Sequence, residues 1–442
     1  MSATPDEDID GFFTTARTTG REETVELTDE SYRTFLPDLD DPQLAEVRGM
    51  TYEEFAQDRY RAPFLRDLLV HWDGLYREPF VGVTSDGAVR QGLYALPDTA
   101  SPGTGSEPVE AARRLLAMLT PGELDAVRHD IDAPQWRAWS NPEFMVYRVG
   151  LRMEVLTDDK TAAIHDVLRA SLSADGYARV SGAMELNGYL GELAGLPTIM
   201  NRHSYWFSVF GDPSTDVRGE PWGWQLFGHH VALNFVSVGG RHVIAPVFLG
   251  GEPALVNDDE AGVHEPLFTT RERLALELAG SLKGVQRDRA VVFGSVLDPA
   301  MPEGRLHPAD ERHVVGAFRD NRVVPYEGIP ASELDTAQRD LLRRIAADCL
   351  DLLVEEQREV TLAEYDAHVD ETWFSWYGAT DGSQPFYFRV HSPVLIAEFD
   401  HHAGVWLTNR LPARFHVHTT LRHPNGNDYA KALIARWRER GE

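Results

Sequence analysis

Histidines and carboxylates recur at short spacing in two stretches of the C-terminal part of this sequence. FHVHTTL carries His416 and His418, and LIAEFD carries Glu398 and Asp400. Residues two positions apart on a β-strand lie on the same face, so each pair would present both of its side chains together. Neutral imidazoles and carboxylates are ligands of Zn, Fe, Mn and Cu. The pattern therefore indicates a site for one transition-metal ion, whose identity the sequence leaves open.

A third stretch, WGWQLFGHHVALNF, places the adjacent histidines His229 and His230 where a strand is predicted to begin. Strand alternation puts His230 on the same face as Asn234 and puts His229 on the opposite face. The alternative to a metal site is a polar sheet face whose histidines bond only to carboxylates and water. We predict four metal ligands: His230, His416, His418 and Glu398.

Three further residues of these strands suggest roles in catalysis around such an ion. Asp400 or His229 would act as the general base, or as the hydrogen-bond partner of a ligand imidazole. Arg422 would bind a substrate carboxylate through its planar guanidinium.

Two tryptophans precede the histidine pair. Trp222 and Trp224 would share one strand face and, together with Asn234, would contact a flat organic substrate or a sugar, although core packing is the more common reason for such tryptophans. The sequence has no GxGxxG after a strand, no phosphate-binding loop and no GxSxG motif. The loop segment HPADERH, which ends at His313, is not assigned to the site.

These residues favour a metal-dependent enzyme that acts on a small organic substrate. The ion would polarise a substrate oxygen or activate water, and hydrolysis is the preferred reaction because it needs only a redox-inert Lewis acid. Oxidation with Fe, Cu or Mn is the first alternative, since the same ligands bind those metals. The second alternative is a protein that binds a small molecule without catalysis.

Composition and charge exclude several classes of partner and cofactor. The chain of 442 residues has a formal net charge of −28, whereas nucleic acids and anionic membranes are bound through basic surfaces. The single cysteine, Cys349, excludes an internal disulfide and cysteine-based zinc motifs. No apolar run reaches the roughly 18 residues of a membrane span, and the acidic N-terminus does not resemble a secretory signal. We expect a cytoplasmic protein; homo-oligomer formation is left open.

Hydrophobic periodicity divides the chain into helical and strand-like parts. Helical spacing dominates up to about residue 195, and strand-like patterns begin near residue 205 and return after residue 372. The Gly239-Gly240 pair between two such patterns predicts a β-hairpin. This order predicts an α+β fold in which a mostly antiparallel sheet is flanked by helices. No internal repeat is apparent.

The N-terminal part is predicted to be an extension of this fold. Residues 1–20 are small, polar and acidic, which is typical of disorder, and a helical segment follows. The stretch 96–110 is rich in proline, glycine and serine and is predicted to be a linker. We therefore divide the chain into an N-terminal extension, 1–108, and a core domain, 109–442.

Several motifs in the same order resemble the family called domain of unknown function 3500. They are a strand that ends in FGDP, then PWGWQLFGHHVALNF, PVFLGGEPA, PFYFRVHSPVLIAEFD and FHVHTTLRHPNGNDY. The resemblance covers residues 109–442. It departs from the family where His401 and His402 replace an asparagine-rich loop. The family name implies no activity, but the matching positions include His229, His230, Asn234, Glu398, Asp400, His416, His418 and Arg422.

Overall fold

The computed structural model describes residues 32–97, 106–214, 219–254, 267–307 and 309–441, and its centre is one mixed β-sheet of twelve strands. The predicted disordered start of the chain and most of the predicted linker lie outside these ranges. In chain order the strands are β1 (Arg128–His129), β2 (Leu151–Arg152), β3 (Tyr205–Phe210), β4 (Trp222–Gly228), β5 (Val231–Val238), β6 (Arg241–Gly251), β7 (Val291–Phe293), β8 (Ile329–Pro330), β9 (Trp373–Tyr377), β10 (Tyr387–His391), β11 (Ile396–His401) and β12 (Val417–Arg422).

Helices precede and flank the strands. Within the described residues they are α1 (Pro42–Val47), α2 (Tyr52–Arg61), α3 (Pro63–Arg77), α4 (Ser106–Met118), α5 (Pro121–Val127), α6 (Asp158–Ser171), α7 (Ala174–Leu193), α8 (Thr269–Ser281), α9 (Val285–Ala290), α10 (Thr336–Cys349), α11 (Glu355–Ala367) and α12 (Lys431–Glu439). Several begin at a capping box, as α2 does at Thr51 and α10 at Asp335. None of the helices described is both long enough and apolar enough to cross a membrane.

The sheet runs in the order β1-β3-β4-β5-β6-β12-β11-β10-β9-β7, with β2 paired to β3 and β8 paired to β9. Neighbouring strands are antiparallel except for the pairs β1–β3 and β7–β9. The predicted α+β class with a mostly antiparallel sheet is confirmed, and so is the helical N-terminal region. The predicted hairpin is also present, because Val238 pairs with Arg241 around Gly239 and Gly240, both of which have positive φ.

The arrangement of strands is symmetric about the centre of the sheet, because the fold contains two similar halves. The half from α4 to β6 and the half from α8 to β12 each consist of two helices, two short strands, a helical hairpin and a four-stranded antiparallel meander. In each half the first short strand is parallel to the opening strand of the meander, and the second is antiparallel to it. The two meanders join side by side through β6 and β12. The sequence did not indicate this internal repeat.

The repeat leaves a weak signature in the sequence once the strands are aligned. The opening strands read YWFSVFG in β3 and TWFSWYG in β9. Gln225 faces Asn234 across β4 and β5, and in the second half Arg389 faces Glu398 across β10 and β11. The connecting loops differ in length, so the matching residues do not recur at a fixed period. This is why periodicity alone did not show the repeat.

The N-terminal helices share one hydrophobic core with the rest of the chain. Phe55 on α2 is fully buried and contacts Trp406, and Trp72 on α3 is almost fully buried against Phe318. Tyr32 donates or accepts a hydrogen bond with Tyr189 on α7. These contacts place residues 32–77 against elements of the family-like part, while the domain boundary near residue 108 stays a prediction.

Two equivalent glycines test the repeat. Gly150 and Gly328 precede β2 and β8, both have φ of 90°, and an added Cβ would lie 2.2 Å from Phe207 O and 2.1 Å from Phe374 O respectively. We predict that Gly150→Ala and Gly328→Ala each lower the free energy of unfolding by about 2–5 kcal/mol, from backbone strain plus the clash. Gly304→Ala is the matched control, since Gly304 has φ of 75° and open space around it. It should cost only about 1–2 kcal/mol. Equal losses by urea denaturation for all three would contradict this.

Candidate metal centre

Three buried histidines meet beside the junction of the two meanders. One ring nitrogen each of His230, His416 and His418 lies within 4.8 Å of the others. Nε2 of His416 is 3.1 Å from Nε2 of His418, and the His230 ring contacts both of the other rings edge-on. The three side chains come from two different elements, so the tertiary fold brings together what the sequence separates by more than 180 positions.

His230 reaches the group from a tight turn and not from a strand. Gly228 pairs with Val231, so His229 and His230 are the two-residue turn between β4 and β5. The sequence had predicted that a strand begins at this histidine pair, and the turn corrects that interpretation. His230 has φ of 62°, a left-handed conformation that a residue with a side chain adopts at a cost. Its carbonyl is held by the N–H of Gly250 at 2.8 Å.

Gly250 on β6 leaves the space that the imidazoles occupy. An added Cβ at this position would lie 2.9 Å from Cδ2 of His418 and 3.0 Å from Cδ2 of His230. Gly250 also pairs directly with His418 across β6 and β12. A side chain here would push the two rings apart, so this glycine is part of the construction of the site.

The other two histidines lie at the start of strand β12. His418 lies between Gly250 on β6 and Asp400 on β11, while His416 immediately precedes the strand. Nδ1 of His416 is 2.7 Å from the carbonyl oxygen of Ala403 and therefore carries the proton in that contact. This hydrogen bond leaves Nε2 as the unprotonated nitrogen, which faces Nε2 of His418, and a histidine oriented in this way has the usual arrangement of a metal ligand.

A second group of ligand-type residues adjoins the first. His313, Asp400 and His402 are buried and also offer atoms within 4.8 Å of one another. The rings of His402 and His418 are 3.8 Å apart between centroids, so the two groups share a boundary. Nε2 of His402 lies 3.2 Å from Asp400 Oδ2, although neither this nitrogen nor Nε2 of His313 has a hydrogen-bond partner among the described residues.

Asp400 is held in place by a buried arginine. Arg312 Nε donates to Asp400 Oδ1 at 2.6 Å, and the Arg312 backbone N–H donates to Oδ2 at 3.3 Å. The same guanidinium also binds Glu311 and the carbonyl of His401. Burial raises the pKa of Asp400 above its ordinary value, and Arg312 opposes that shift. The carboxylate is thus fixed in orientation beside His402 and His418.

Glu398, predicted as the fourth ligand, lies outside both groups. Its carboxylate accepts hydrogen bonds from the N–H groups of Val314 and Val315, from Tyr387 Oη at 2.6 Å and from Thr420 Oγ1 at 3.1 Å. His313 Nδ1 is 3.6 Å away. Burial alone would raise the pKa of Glu398, but His313, Arg389 and the hydrogen bonds hold it below its ordinary value. Glu398 therefore positions the loop that carries His313.

Glu252 holds the loop on the other side of the histidines. Its Oε1 accepts hydrogen bonds from the N–H groups of residues 405–407 at 2.8–3.0 Å and lies 4.0 Å from Nδ1 of His416. Oε2 is buried without a hydrogen-bond partner among the described residues. Burial raises the pKa of Glu252 to about 7. This loop begins at Ala403, whose carbonyl orients His416, so Glu252 indirectly fixes that ring.

Burial keeps the histidines neutral at physiological pH. Desolvation lowers the pKa of His416 and of His313 to about 4, and lowers the pKa of His230, His402 and His418 well below the ordinary value. A neutral imidazole is the form that binds a metal ion, since its unprotonated nitrogen supplies the lone pair.

His229 faces away from the three-histidine group. Its Nδ1 is 2.8 Å from Asn187 Oδ1 on α7, and its ring stacks on that of His230 with 3.9 Å between centroids. The Tyr205 hydroxyl donates to the His229 carbonyl at 3.1 Å. These contacts make His229 a support for the turn, and His230 is the member of the pair that joins the group.

The residues predicted to bind substrate lie in the interior of the first meander. Trp222, Trp224 and Asn234 are all fully buried. Trp224 stacks on Phe235 with an interplanar angle of 9°, and Asn234 binds Gln225 and the carbonyl of Pro246. All three side chains pack or bond within the first meander, so the structure does not place these residues beside the histidines.

Arg422 belongs to a buried ion-pair network and does not reach the histidines. Its Nη1 lies 2.6 Å from Asp320 and 3.1 Å from Asp428, and Asp320 also binds Arg137 at 2.8 Å. Its other donors bind the carbonyls of Val315 and Gly316. With every donor group engaged, Arg422 acts as a cross-link between β12 and the loop after His313.

Sequence reasoning missed several residues around the centre, listed here together: His313, His402, Glu252, Gly250 and Arg312. The signals for the first two were present as the HPADERH segment and the His401-His402 pair. Neither segment lies on a predicted strand together with the other histidines. Only the fold shows that His313 and His402 lie beside them.

The fold and the site define an α+β protein with a duplicated meander and a buried centre of histidine and aspartate side chains. The chain belongs to the family described as Protein of unknown function (DUF3500), whose model matches residues 103–431. The resemblance found in the sequence is thereby confirmed. Searches of curated proteins and of solved structures gave no match.

The position of Arg422 generates a test that separates a structural role from substrate binding. We predict that Arg422→Gln lowers the free energy of unfolding by about 3–5 kcal/mol, because it leaves Asp320 and Asp428 as buried charges without their common partner. Arg438→Gln is the control, since Arg438 pairs with Asp132 at the exposed surface and should cost at most about 1 kcal/mol. Unchanged stability for Arg422→Gln in urea denaturation would contradict the structural role.

Proposed function

We propose that this protein is a metal-dependent enzyme that hydrolyses a small organic substrate. A transition-metal ion bound by His230, His416 and His418 would supply the Lewis acidity. The observation that carries the proposal is the convergence of three buried neutral imidazoles, one of them held in a left-handed backbone conformation. Three histidines that leave a coordination position open to water or substrate are typical of catalytic zinc sites.

The cost of burying these side chains supports a bound ion. A buried polar atom without a partner is unfavourable by roughly 1–3 kcal/mol, and Nε2 of His313 and of His402 both lack one among the described residues. Nε2 of His416 and of His418 face one another at 3.1 Å. An ion would satisfy such nitrogens at once, since each neutral imidazole donates a lone pair to it.

The second group offers a position for a second ion. His313, Asp400 and His402 provide two imidazoles and a carboxylate, and the tilted ring of His402 contacts that of His418 in the first group. Hydrolases with two ions keep them roughly 3.5–4 Å apart and use both to hold the attacking and leaving oxygens. Arg312 competes for Asp400 in this group. We therefore assign the tighter site to the three histidines.

Hydrolysis is favoured over oxidation by the placement of Asp400. Its carboxylate lies next to His402 and opposite His418 in the sheet, and Arg312 fixes its direction. When the second group holds no ion, a carboxylate in this position would accept the proton of the attacking water. His229, the other predicted base, instead binds Asn187.

The first prediction from this proposal concerns metal content. Full-length protein purified without a histidine tag under metal-replete conditions should contain one to two equivalents of a transition metal by elemental analysis. His416→Ala combined with His418→Ala should remove the ion of the first group, because it deletes two of the three imidazoles. His313→Ala combined with His402→Ala should leave one equivalent in place.

His423→Ala is the matched control for these variants. His423 is buried as well but belongs to neither group. The control should retain the metal content of the wild type. Wild-type protein without metal, or full occupancy in the His416/His418 variant, would disprove the proposed site. Circular dichroism should show that each variant used is folded.

The second prediction separates hydrolysis from oxidation. Metal-free protein reloaded with Zn²⁺ should turn over a hydrolysable substrate from an ester, amide and phosphoester panel, with the same rate when oxygen is excluded. Asp400→Asn should lower kcat by about 10²–10⁴-fold, the typical contribution of a general base, while the three-histidine group keeps its ion. Activity that requires oxygen together with Fe, Cu or Mn, and that Zn²⁺ inhibits, would overturn hydrolysis in favour of oxidation.

A further inference from the structure

We propose that Arg305, Arg319 and Arg322 form an oxyanion-binding site beside the metal centre, which holds a phosphate or carboxylate group of the substrate. The term substrate rests on the proposed function, but the binding of an oxyanion does not. The three arginines lie on the loop between β7 and β8 that also carries His313. All three are partly exposed, so a ligand from solvent can reach them.

Two of the arginines flank His313 through its neighbouring carbonyls. Arg305 Nη1 donates to the carbonyl of Arg312 at 2.6 Å, and Arg322 Nη1 donates to the carbonyl of Val314 at 3.2 Å. These contacts place one guanidinium on each side of His313, which is the loop residue of the second ligand group. An anionic group bound by them would lie next to the ion-binding side chains.

These arginines lack a carboxylate partner of the kind that Arg312, the fourth arginine of the loop, possesses. Arg312 pairs with Asp400, whereas the described residues provide no carboxylate within ion-pair distance of Arg305, Arg319 or Arg322. Arg319 Nε is buried and has no hydrogen-bond partner in the described part of the chain. Its Nη1 makes only a long contact of 3.4 Å with Nε2 of His71. Arg305, in contrast, uses Nε and Nη2 to donate to Tyr377 Oη at 3.0 and 2.8 Å. The donors available for a ligand are therefore those of Arg319 and Arg322, and Arg305 adds its charge.

The charges around the arginines favour an added anion. Burial lowers the pKa of Arg322, and repulsion from Arg319 and Arg305 lowers it further, against the attraction of Glu398 and Asp310. The Glu398 carboxylate is already engaged by Val314, Val315, Tyr387 and Thr420. Asp310 is buried, and burial raises its pKa to about 6. A bound oxyanion would relieve the repulsion that these carboxylates leave uncompensated.

The chemistry of the site specifies the kind of ligand. Guanidinium groups bind phosphate and carboxylate oxygens through paired, charge-assisted hydrogen bonds. The protein as a whole carries a net charge of −28, which repels anions. Arginines that lack a carboxylate partner among the described residues, in a chain of this charge, therefore select an anion by local contacts and not by the electrostatic field of the whole protein.

The test is isothermal titration of inorganic phosphate, sulfate and acetate into full-length protein, first treated with a chelator and then with metal restored. At constant ionic strength, one equivalent of at least one oxyanion should bind saturably to both forms. Arg319→Gln combined with Arg322→Gln should weaken that binding at least tenfold. Arg322→Lys alone should weaken it less, because the charge remains. Preference for phosphate or for acetate identifies the class of group that the substrate carries.

Arg287→Gln is the control, since Arg287 is exposed on α9 and should leave binding unchanged. Metal content should be equal in the wild type and the double arginine variant. Absence of saturable binding, or equal binding in wild type and double variant, would overturn the oxyanion site. Oxyanion binding by protein that never retains metal would uphold this site and refute the proposed function, so the two failures are distinguishable.

Discussion

One buried carboxylate joins the elements on which the candidate centre depends. Glu398 projects from β11, accepts from Tyr387 on β10 and from Thr420 on β12, and holds the loop of His313 through two backbone N–H groups. A carboxylate that accepts several hydrogen bonds stays ionised even when it is fully buried. Hydrogen bonds to this one carboxylate thus connect three strands and one loop. Glu252 performs the same task for the loop after Ala403, through the N–H groups of residues 405–407.

Because these two loops are held by carboxylates, the imidazoles between them have little freedom. His416 is oriented by the carbonyl of Ala403, and His313 lies beside Glu398. His230 is fixed from the opposite side by the turn between β4 and β5. Ligands that are aligned before an ion arrives bind it without a large cost of reorganisation. The rigidity of the surrounding backbone would therefore give these neutral imidazoles a high affinity for a metal ion.

Local sequence spacing predicted the parts of this centre that lie within one element, and it failed where register or tertiary contact decides. His416 and His418 follow from alternation on β12. Glu398 and Asp400 share a face of β11, but the register that sets Asp400 opposite His418 and Glu398 opposite Thr420 could not be read from the residues. His230 was selected on the assumption that it is part of a strand beginning at the histidine pair, whereas it lies in a turn. His313 comes from a loop without periodicity, so no pattern connected it to the others.

The duplicated meander provides an internal comparison that bears on the purpose of these polar residues. In the first half, Gln225 and Asn234 occupy the cross-strand positions of Arg389 and Glu398, and Gln225 binds the carbonyl of Trp136 in the corresponding loop. A polar pair that anchors a loop is thus common to both halves.

Of the six ligand-type residues in the two groups, five lie in the second half, and only His230 comes from the first. Two positions after Asn234 stands Val236, which faces Val243, whereas two positions after Glu398 stands Asp400, which faces His418. The first meander is built with valines at these places, and buried valines stabilise a sheet without any polar partner. Burying aspartate and histidine there is costly unless they bond to something. The sheet itself therefore does not require the aspartate and histidine of the second half, which accords with the proposed metal site.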